Sequence, residues 1–273
     1  MKRLRPLLSL GKRQLKEPRA LGVLLCYNDA DILEDSIRHL LDNNHELIVW
    51  DHGSTDNTRL VLDKYEEFFV ERKFIPREFD FYKLYQRMSQ HLIDNYIKDF
   101  DWVSWPDQDE ILEGPSRGKS YYDYITDVFR SKYNWIEFNN FNYWFTKDDD
   151  ALIKSPVKRI RHYSIFPNCA PRIRSWRASV TNIREFNHNP LPGEKYPTRF
   201  NLCHYPMRSY DQMMKRIEKD RAGLRRGKKN VHYSNMKKVR DKLEIQASQL
   251  YYDDGGELDD SVKFDWDQIY FAQ

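Results

Sequence analysis

The chain has 273 residues, with 45 Lys and Arg against 42 Asp and Glu, a formal net charge of +3, and 40% apolar and 15% aromatic residues. That length suits one large α/β domain, or a domain with an appendage, and the apolar content is enough to bury a sizeable core. The near-neutral total excludes a global polyanion-binding field, and no run is long enough to span a membrane.

Charge is nevertheless uneven. Residues 1–19 are basic, 208–242 strongly basic and 253–267 acidic. Cys26, Cys169 and Cys203 are odd in number and widely spaced, so they form neither a zinc pattern nor a disulfide framework. A reducing, cytoplasmic setting is expected. Leu7-Leu8-Ser9-Leu10 is too short for a signal-peptide core. The basic start reads as a disordered leader, with peripheral contact to an anionic membrane surface as the alternative.

Leu21 to Tyr27 is a continuous apolar run, as expected for a strand buried on both faces of a parallel sheet. Asn28-Asp29-Ala30-Asp31 supplies N-cap residues. Ile32, Leu33, Ile37, Leu40 and Leu41 mark one helical face, ended by Asn43-Asn44. Leu47 to Trp50 is a second apolar strand with Asp51 at its carboxyl end. Open α/β sheets bind ligands in the crevice beyond the carboxyl ends of their strands, so Asp51 faces such a crevice. A turn follows, Asp51-His52-Gly53-Ser54-Thr55-Asp56-Asn57-Thr58, in which Ser54 or Thr55 can cap a helix bearing Leu60, Leu62, Tyr65 and Phe69. Lys73 to Pro76 is a weak third strand, and Tyr82 to Phe100 a helix.

Trp102-Val103-Ser104-Trp105 reads as a buried strand halted by Pro106, which cannot donate to a ladder. Asp107 and Asp109 then lie two apart, on one side if the chain stays extended. Two carboxylates so close repel unless a cation sits between them, and a hard ion such as Mg²⁺ or Mn²⁺ takes oxygen ligands and shares them with a diphosphate. A solvated acidic turn is the alternative. Further on, a helix is expected over 121–129 and strands over 135–145, 159–166, 172–180 and 200–205. Ser209 can cap a helix that includes Met213, Met214 and Ile217. The expected division is a leader (1–19), a main α/β domain (20–207) and a helical basic segment with an acidic tail (208–273).

Three features in order carry a resemblance: the strand ending in Tyr27-Asn28, the turn Asp51-His52-Gly53-Ser54-Thr55-Asp56, and Asp107-Gln108-Asp109-Glu110. Together these resemble the GT-A glycosyltransferases, in particular the family 2-like group. His204-Tyr205-Pro206-Met207-Arg208-Ser209 with Lys215 looks like the pattern that closes the domain there. Asp29 departs from the more usual Glu after the Asn. The resemblance implies a Rossmann-like mixed sheet flanked by helices with a helical C-terminal extension, a nucleotide-sugar donor (a UDP-sugar first) and Mn²⁺ or Mg²⁺. It implies that Tyr27 and Asn28 line the base, that Asp51 accepts from base or ribose, and that Asp107 approaches ribose and diphosphate. It also implies that Asp109 binds the metal with His204 as a candidate further ligand, and that Arg208 or Lys215 holds the diphosphate. An inverting displacement needs a general base. Glu110 is the first candidate for that base, with a supporting role as its alternative. Glu137, Asp148 and His188 are the other candidates. Trp135, Trp144 and Trp176 can stack on a sugar but fit core packing better.

The leading expectation is a metal-dependent, inverting glycosyltransferase acting on a glycan, lipid-linked or protein acceptor. A nucleotidyltransferase also uses paired carboxylates, but would want a basic, Gly-rich first turn, and residues 28–31 are acidic. The third expectation is a non-catalytic module binding nucleic acid or a membrane surface through residues 208–242. Basic residues on a helix more often form a solvated face, so no nucleic acid is expected.

Overall fold

A computed structural model describes residues 16–76, 81–165, 172–183, 190–212, 214–215 and 247–261. The first half is a βαβ core. Strand β1 (Ala20–Cys26) is buried at every position, and helix α1 (Leu33–Asp42) crosses to β2 (His45–Asp51). The two strands run parallel, Ala20 opposite His45 through Cys26 opposite Asp51. Helix α2 (Thr58–Lys64) and a short 3-10 turn lead to β3 (Phe69–Phe74), parallel to β2. Helix α3 (Phe81–Asn95) returns the chain to β4 (Trp102–Ser104), parallel to β1 on its other side.

The second half is mostly antiparallel. It holds β5 (Glu110–Glu113), α4 (Tyr121–Phe129), β6 (Trp135–Trp144), α5 (Pro156–Arg159), β7 (His162–Ile165), β8 (Arg172–Arg177), β9 (Phe200–Met207) and β10 (Tyr251–Tyr252). The main path across the sheet is β10-β7-β6-β8-β4-β1-β2-β3, while β9 joins β5 to β6. This is the mixed, helix-flanked α/β sheet expected. The basic segment and most of the expected C-terminal helix lie outside the described residues. Within them, β10 pairs with β7, so Tyr251 and Tyr252, just ahead of the acidic tail, belong to the same sheet.

Several local expectations need correction. The helix after the second turn ends at Lys64, and Phe69 opens β3 instead of closing the helical face. Leu60 is 60% exposed, and the buried stripe is Thr58, Val61 and Leu62. The strand expected over 159–166 begins only at His162, because Ser155 caps a short turn with Pro156 at its start. Neither first-turn nor second-turn side chains cap as expected. The amides of Ile32 and Leu33 bond the Asp29 carbonyl, and Asp56 Oδ1, not Ser54 or Thr55, accepts from the Thr58 amide at 2.9 Å. Ser209 does cap, accepting from the Gln212 amide at 3.1 Å; Met213 and Ile217 lie outside the described residues.

Among the described residues, four apolar clusters fill the layers. The largest packs Val23, Ile48, Trp50, Met88, Trp105 and Trp176 between the sheet and α3. Trp135, Trp144 and Trp176 are 5%, 2% and 1% exposed, which makes them core side chains. Burying a ring of that size stabilises by about 3 kcal/mol or more, far beyond what a rim contact offers.

Candidate functional site

Three turns at the carboxyl ends of β1, β2 and β4 meet, and the end of β9 closes over them. Strand register brings this about. With Cys26 opposite Asp51, both chains leave the sheet at the same level. Asn28 adopts φ +54, a left-handed conformation that Asn tolerates better than most residues. That conformation aims its side-chain oxygen at the second turn, where it accepts from the Thr55 amide at 2.7 Å and the Asp56 amide at 3.3 Å. Ser54 Oγ returns the contact, accepting from the Asn28 amide at 3.0 Å. Ser54, Thr55 and Asn28 are therefore a clasp between two turns. Tyr27 sits beside His52, ring centroids 6.2 Å apart.

Asp51 is 2% exposed. Its Oδ1 accepts from the Ser54 amide at 2.9 Å. Its Oδ2 has no hydrogen bond among the described residues and lies 3.5 Å from Arg59 Nε. A buried carboxylate oxygen without a donor is costly, so this atom is suited to a donor brought by a ligand.

The third turn departs from the extended course expected for Asp107 to Asp109. The Glu110 amide bonds the Asp107 carbonyl at 3.0 Å, closing a turn that sends the two carboxylates to different partners. Asp107 accepts from Tyr85 Oη at 2.8 Å and from Arg174 Nη2 at 2.7 Å. Tyr85 is held by stacking on Trp105, 5.1 Å between centroids. Burial pushes the Asp107 carboxyl above its ordinary range, with Arg174 opposing. Asp109 faces the other way, 3.6 Å from His204 Nε2 and 3.6 Å from Arg208 Nη1. The β5–β9 ladder, which pairs Glu110 with His204, sets that approach. His204 is oriented by Nδ1, 2.8 Å from Asn142 Oδ1.

Glu110 does not stand where a general base would. Its side chain is fully buried, and it binds Arg172 Nη1, Arg174 Nε at 2.5 Å and Arg174 Nη2 at 2.9 Å. It also accepts from the Asp107 amide at 2.9 Å. Burial alone would push its carboxyl up, but Arg174 and Arg172 hold it down at about 2. A base needs an open face and a pKa nearer the working pH, which these contacts do not give Glu110; they suit the supporting role that was its alternative. Glu137 pairs with Lys195 at 2.8 Å and Arg199 at 3.3 Å, Asp148 is exposed, and His188 lies outside the described residues.

Arg208 is 1% exposed and joins two turns. It binds Asp31 through Nε at 2.7 Å and Nη2 at 2.8 Å, Asp29 at 3.2 Å and the Tyr205 carbonyl at 3.2 Å. Asp29 also accepts from Gln108 Nε2 at 2.6 Å. Lys215 is exposed on the helical turn after Ser209, apart from this network in the contacts described.

Arg172, Arg174 and Tyr85 join the site without having been expected in it, and Asp29, Asp31 and Gln108, expected only as capping or motif residues, pair into its network. The signal for the arginines was available: Arg172 and Arg174 alternate on one strand and must share a face. Nothing local marked that face as the inner one.

Five carboxylates (Asp29, Asp31, Asp107, Asp109, Glu110) thus meet three guanidinium groups (Arg172, Arg174, Arg208). The excess of negative charge suits a cation. Among the described residues no three His, Cys, Asp or Glu side chains form a ready metal cage. Asp109 and His204 nonetheless fit as a two-ligand anchor. Adjacent ligands of an octahedral hard cation stand about 3 Å apart, close to their 3.6 Å. Such ions commonly take their remaining ligands from substrate phosphates and water.

Residues 23–113 match the family described as Glycosyl transferase family 2. That segment runs from β1 to β5 and contains all three turns; His204 and Arg208 lie beyond it. No curated protein matches the chain. Among solved structures, the crystal structure of S. aureus TarS is similar at 11% identity and TM-score 0.36, over 73% of this chain and 39% of that one. TarS 1–349 in complex with UDP is similar at 11% identity and TM-score 0.40, over 71% and 63%. TarS 1–349 alone gives 12% identity and TM-score 0.36, over 73% and 64%. The chain thus spans less than two thirds of each. The matched segment is about a third of the chain, holds the βαβ core and the three turns, and is similar to the glycosyl transferase family 2 domain.

Proposed function

We propose that the chain transfers a sugar, with inversion, from a nucleotide-sugar donor to a glycan, lipid-linked or protein acceptor, and that a divalent cation assists. The observation that carries this reading is the meeting of Asn28, Asp51, Asp107, Asp109, His204 and Arg208 around the carboxyl ends of β1, β2 and β4, where open α/β sheets receive ligands. In it, Tyr27 and the Asn28–Thr55 clasp shape the base subsite, and Asp51 Oδ2 accepts from base or ribose. Asp107, held by Tyr85 and Arg174, faces ribose and diphosphate. Asp109 and His204 hold Mn²⁺ or Mg²⁺, which when bound offsets the charge of the leaving diphosphate. Arg208 adds positive charge on the same side, and Lys215 is a further candidate for it. Glu110 orients Asp107 through its amide and through Arg174. Of the bases suggested by sequence, Glu137 and Asp148 remain among the described residues.

The nucleotidyltransferase reading loses support because the first turn presents Asp29 and Asp31 where that chemistry wants cations. A cytoplasmic setting, with or without peripheral membrane contact, is proposed from cysteine usage and the basic leader. Among the described residues no helix is long and apolar enough to cross a membrane.

The test is thermal stabilisation by UDP, GDP and CMP, each with and without Mn²⁺, on wild type and Asp109→Ala. Ligand at 100 times its dissociation constant adds about 2.7 kcal/mol, or several degrees at this size. A metal-dependent shift with one nucleotide, lost in Asp109→Ala, is expected. No shift with any nucleotide overturns the reading.

A further inference from the structure

Resting on the donor reading just given, we infer that Asp31 is a built-in competitor of the donor diphosphate: it occupies Arg208 in the free enzyme and lowers diphosphate affinity until displaced. Arg208 is 1% exposed and presents Nε and Nη2 as a fork, and Asp31 takes both, at 2.7 and 2.8 Å. That edge-on, two-point geometry is how a guanidinium also binds a phosphate. The two anions would therefore contend for one surface.

The other acidic neighbours of Arg208 are poorly placed to leave. Asp29 is 3% exposed and is tied to Gln108 at 2.6 Å, and Asp109 is 4% exposed. Withdrawing either would leave a buried charge with a partner missing, which is strongly unfavourable. Asp31 is different, because its side chain is 42% exposed and water can receive it. An ion pair with one exposed member is worth little, so exchanging Asp31 for a diphosphate is the cheap move. Asp31 also sits two residues after the buried Asp29, just ahead of α1, so releasing its side chain need not disturb the Asn28 clasp.

Isothermal titration with UDP and UMP in the presence of Mn²⁺ tests this on wild type, Asp31→Asn, Asp31→Ala and Asp31→Glu. GDP with GMP, or CDP with CMP, is substituted if the base preference differs. Removing the competitor is expected to tighten UDP binding by roughly five-fold or more in Asp31→Asn and Asp31→Ala. UMP affinity should be unchanged, and Asp31→Glu should not tighten. If wild type binds UDP but the neutral variants bind it no tighter, or more weakly, Asp31 is a support for Arg208 and the inference fails alone. If tightening is equal for UMP, the effect is not at the second phosphate, and it fails as well. If wild type binds no nucleoside diphosphate, the donor reading falls and takes this inference with it.

Discussion

Glu110 shows why a residue's chemistry is decided by its neighbours. As a carboxylate beside an acidic pair it looked available for proton transfer, but between Arg172 and Arg174 it is a buried ion-pair member. The two roles separate experimentally. Glu110→Gln leaves two guanidinium groups facing a neutral amide, and breaking a buried pair costs about 3–5 kcal/mol. The melting temperature should fall on the order of 10 °C, measured by calorimetry, with loss of activity following the loss of fold. A large drop in kcat at unchanged stability would restore the base role. Asp109 differs in having its ion partners at 3.6 Å, so Asp109→Ala should remove the Mn²⁺-dependent shift and lower the metal-free melting temperature by less than Glu110→Gln does.

At the level of elements, the first two turns act as one unit because Asn28 spends its side chain on the second. Asn28→Ala removes the acceptor for Thr55 and Asp56 and places alanine at φ +54. Left-handed backbone costs a non-glycine residue about 1–2 kcal/mol, and the lost hydrogen bonds add about 1 kcal/mol each. Urea denaturation should report a loss of about 3–4 kcal/mol, and Asn28→Gly a smaller one. Equal stability of Asn28→Ala and wild type would show that the clasp contributes nothing. The same turns show how far elements could be read in advance. The continuous apolar runs of β1 and β2 were legible because a parallel strand is buried on both faces. The boundary between α2 and β3 was not. Tyr65 and Phe69 continue a helical spacing, yet pairing with β2 from Leu47 onward claims Phe69 for the sheet.

Across the whole molecule, a buried polar network ties the parallel half to the antiparallel half. His45 stacks on Tyr121 and lies 3.0 Å from Ser104 Oγ, which meets Tyr121 and Ser175. Burial lowers the His45 pKa to about 4. The unfolded chain takes up a proton near pH 6.5 and the folded one only near 4, so stability is full above pH 6.5 and falls as pH drops between those values. The slope is about 1.4 kcal/mol per pH unit for this group. Below about 4.5, Glu110 begins to add its own loss, because its folded carboxyl titrates near 2. Burial lowers the His39 pKa to about 4 as well, so denaturation midpoints at pH 7, 6 and 5 should show the decline and His45→Gln should roughly halve it. An unchanged pH profile in that variant would assign the decline elsewhere.

Sequence by itself determined the parallel half and the three acidic or amide-bearing turns. Both follow from local rules: buried strands are apolar throughout, and their carboxyl ends must open into the crevice. It also supplied the order of motifs that carries the resemblance to glycosyl transferase family 2. Only the tertiary structure decided which carboxylates pair with which guanidinium groups. Arg172 and Arg174 reach Asp107 and Glu110 from more than sixty residues away, and Arg208 reaches Asp31 from 177. Charge pairing depends on distances that strand order sets, and strand order in the antiparallel half is not written in any one segment's periodicity.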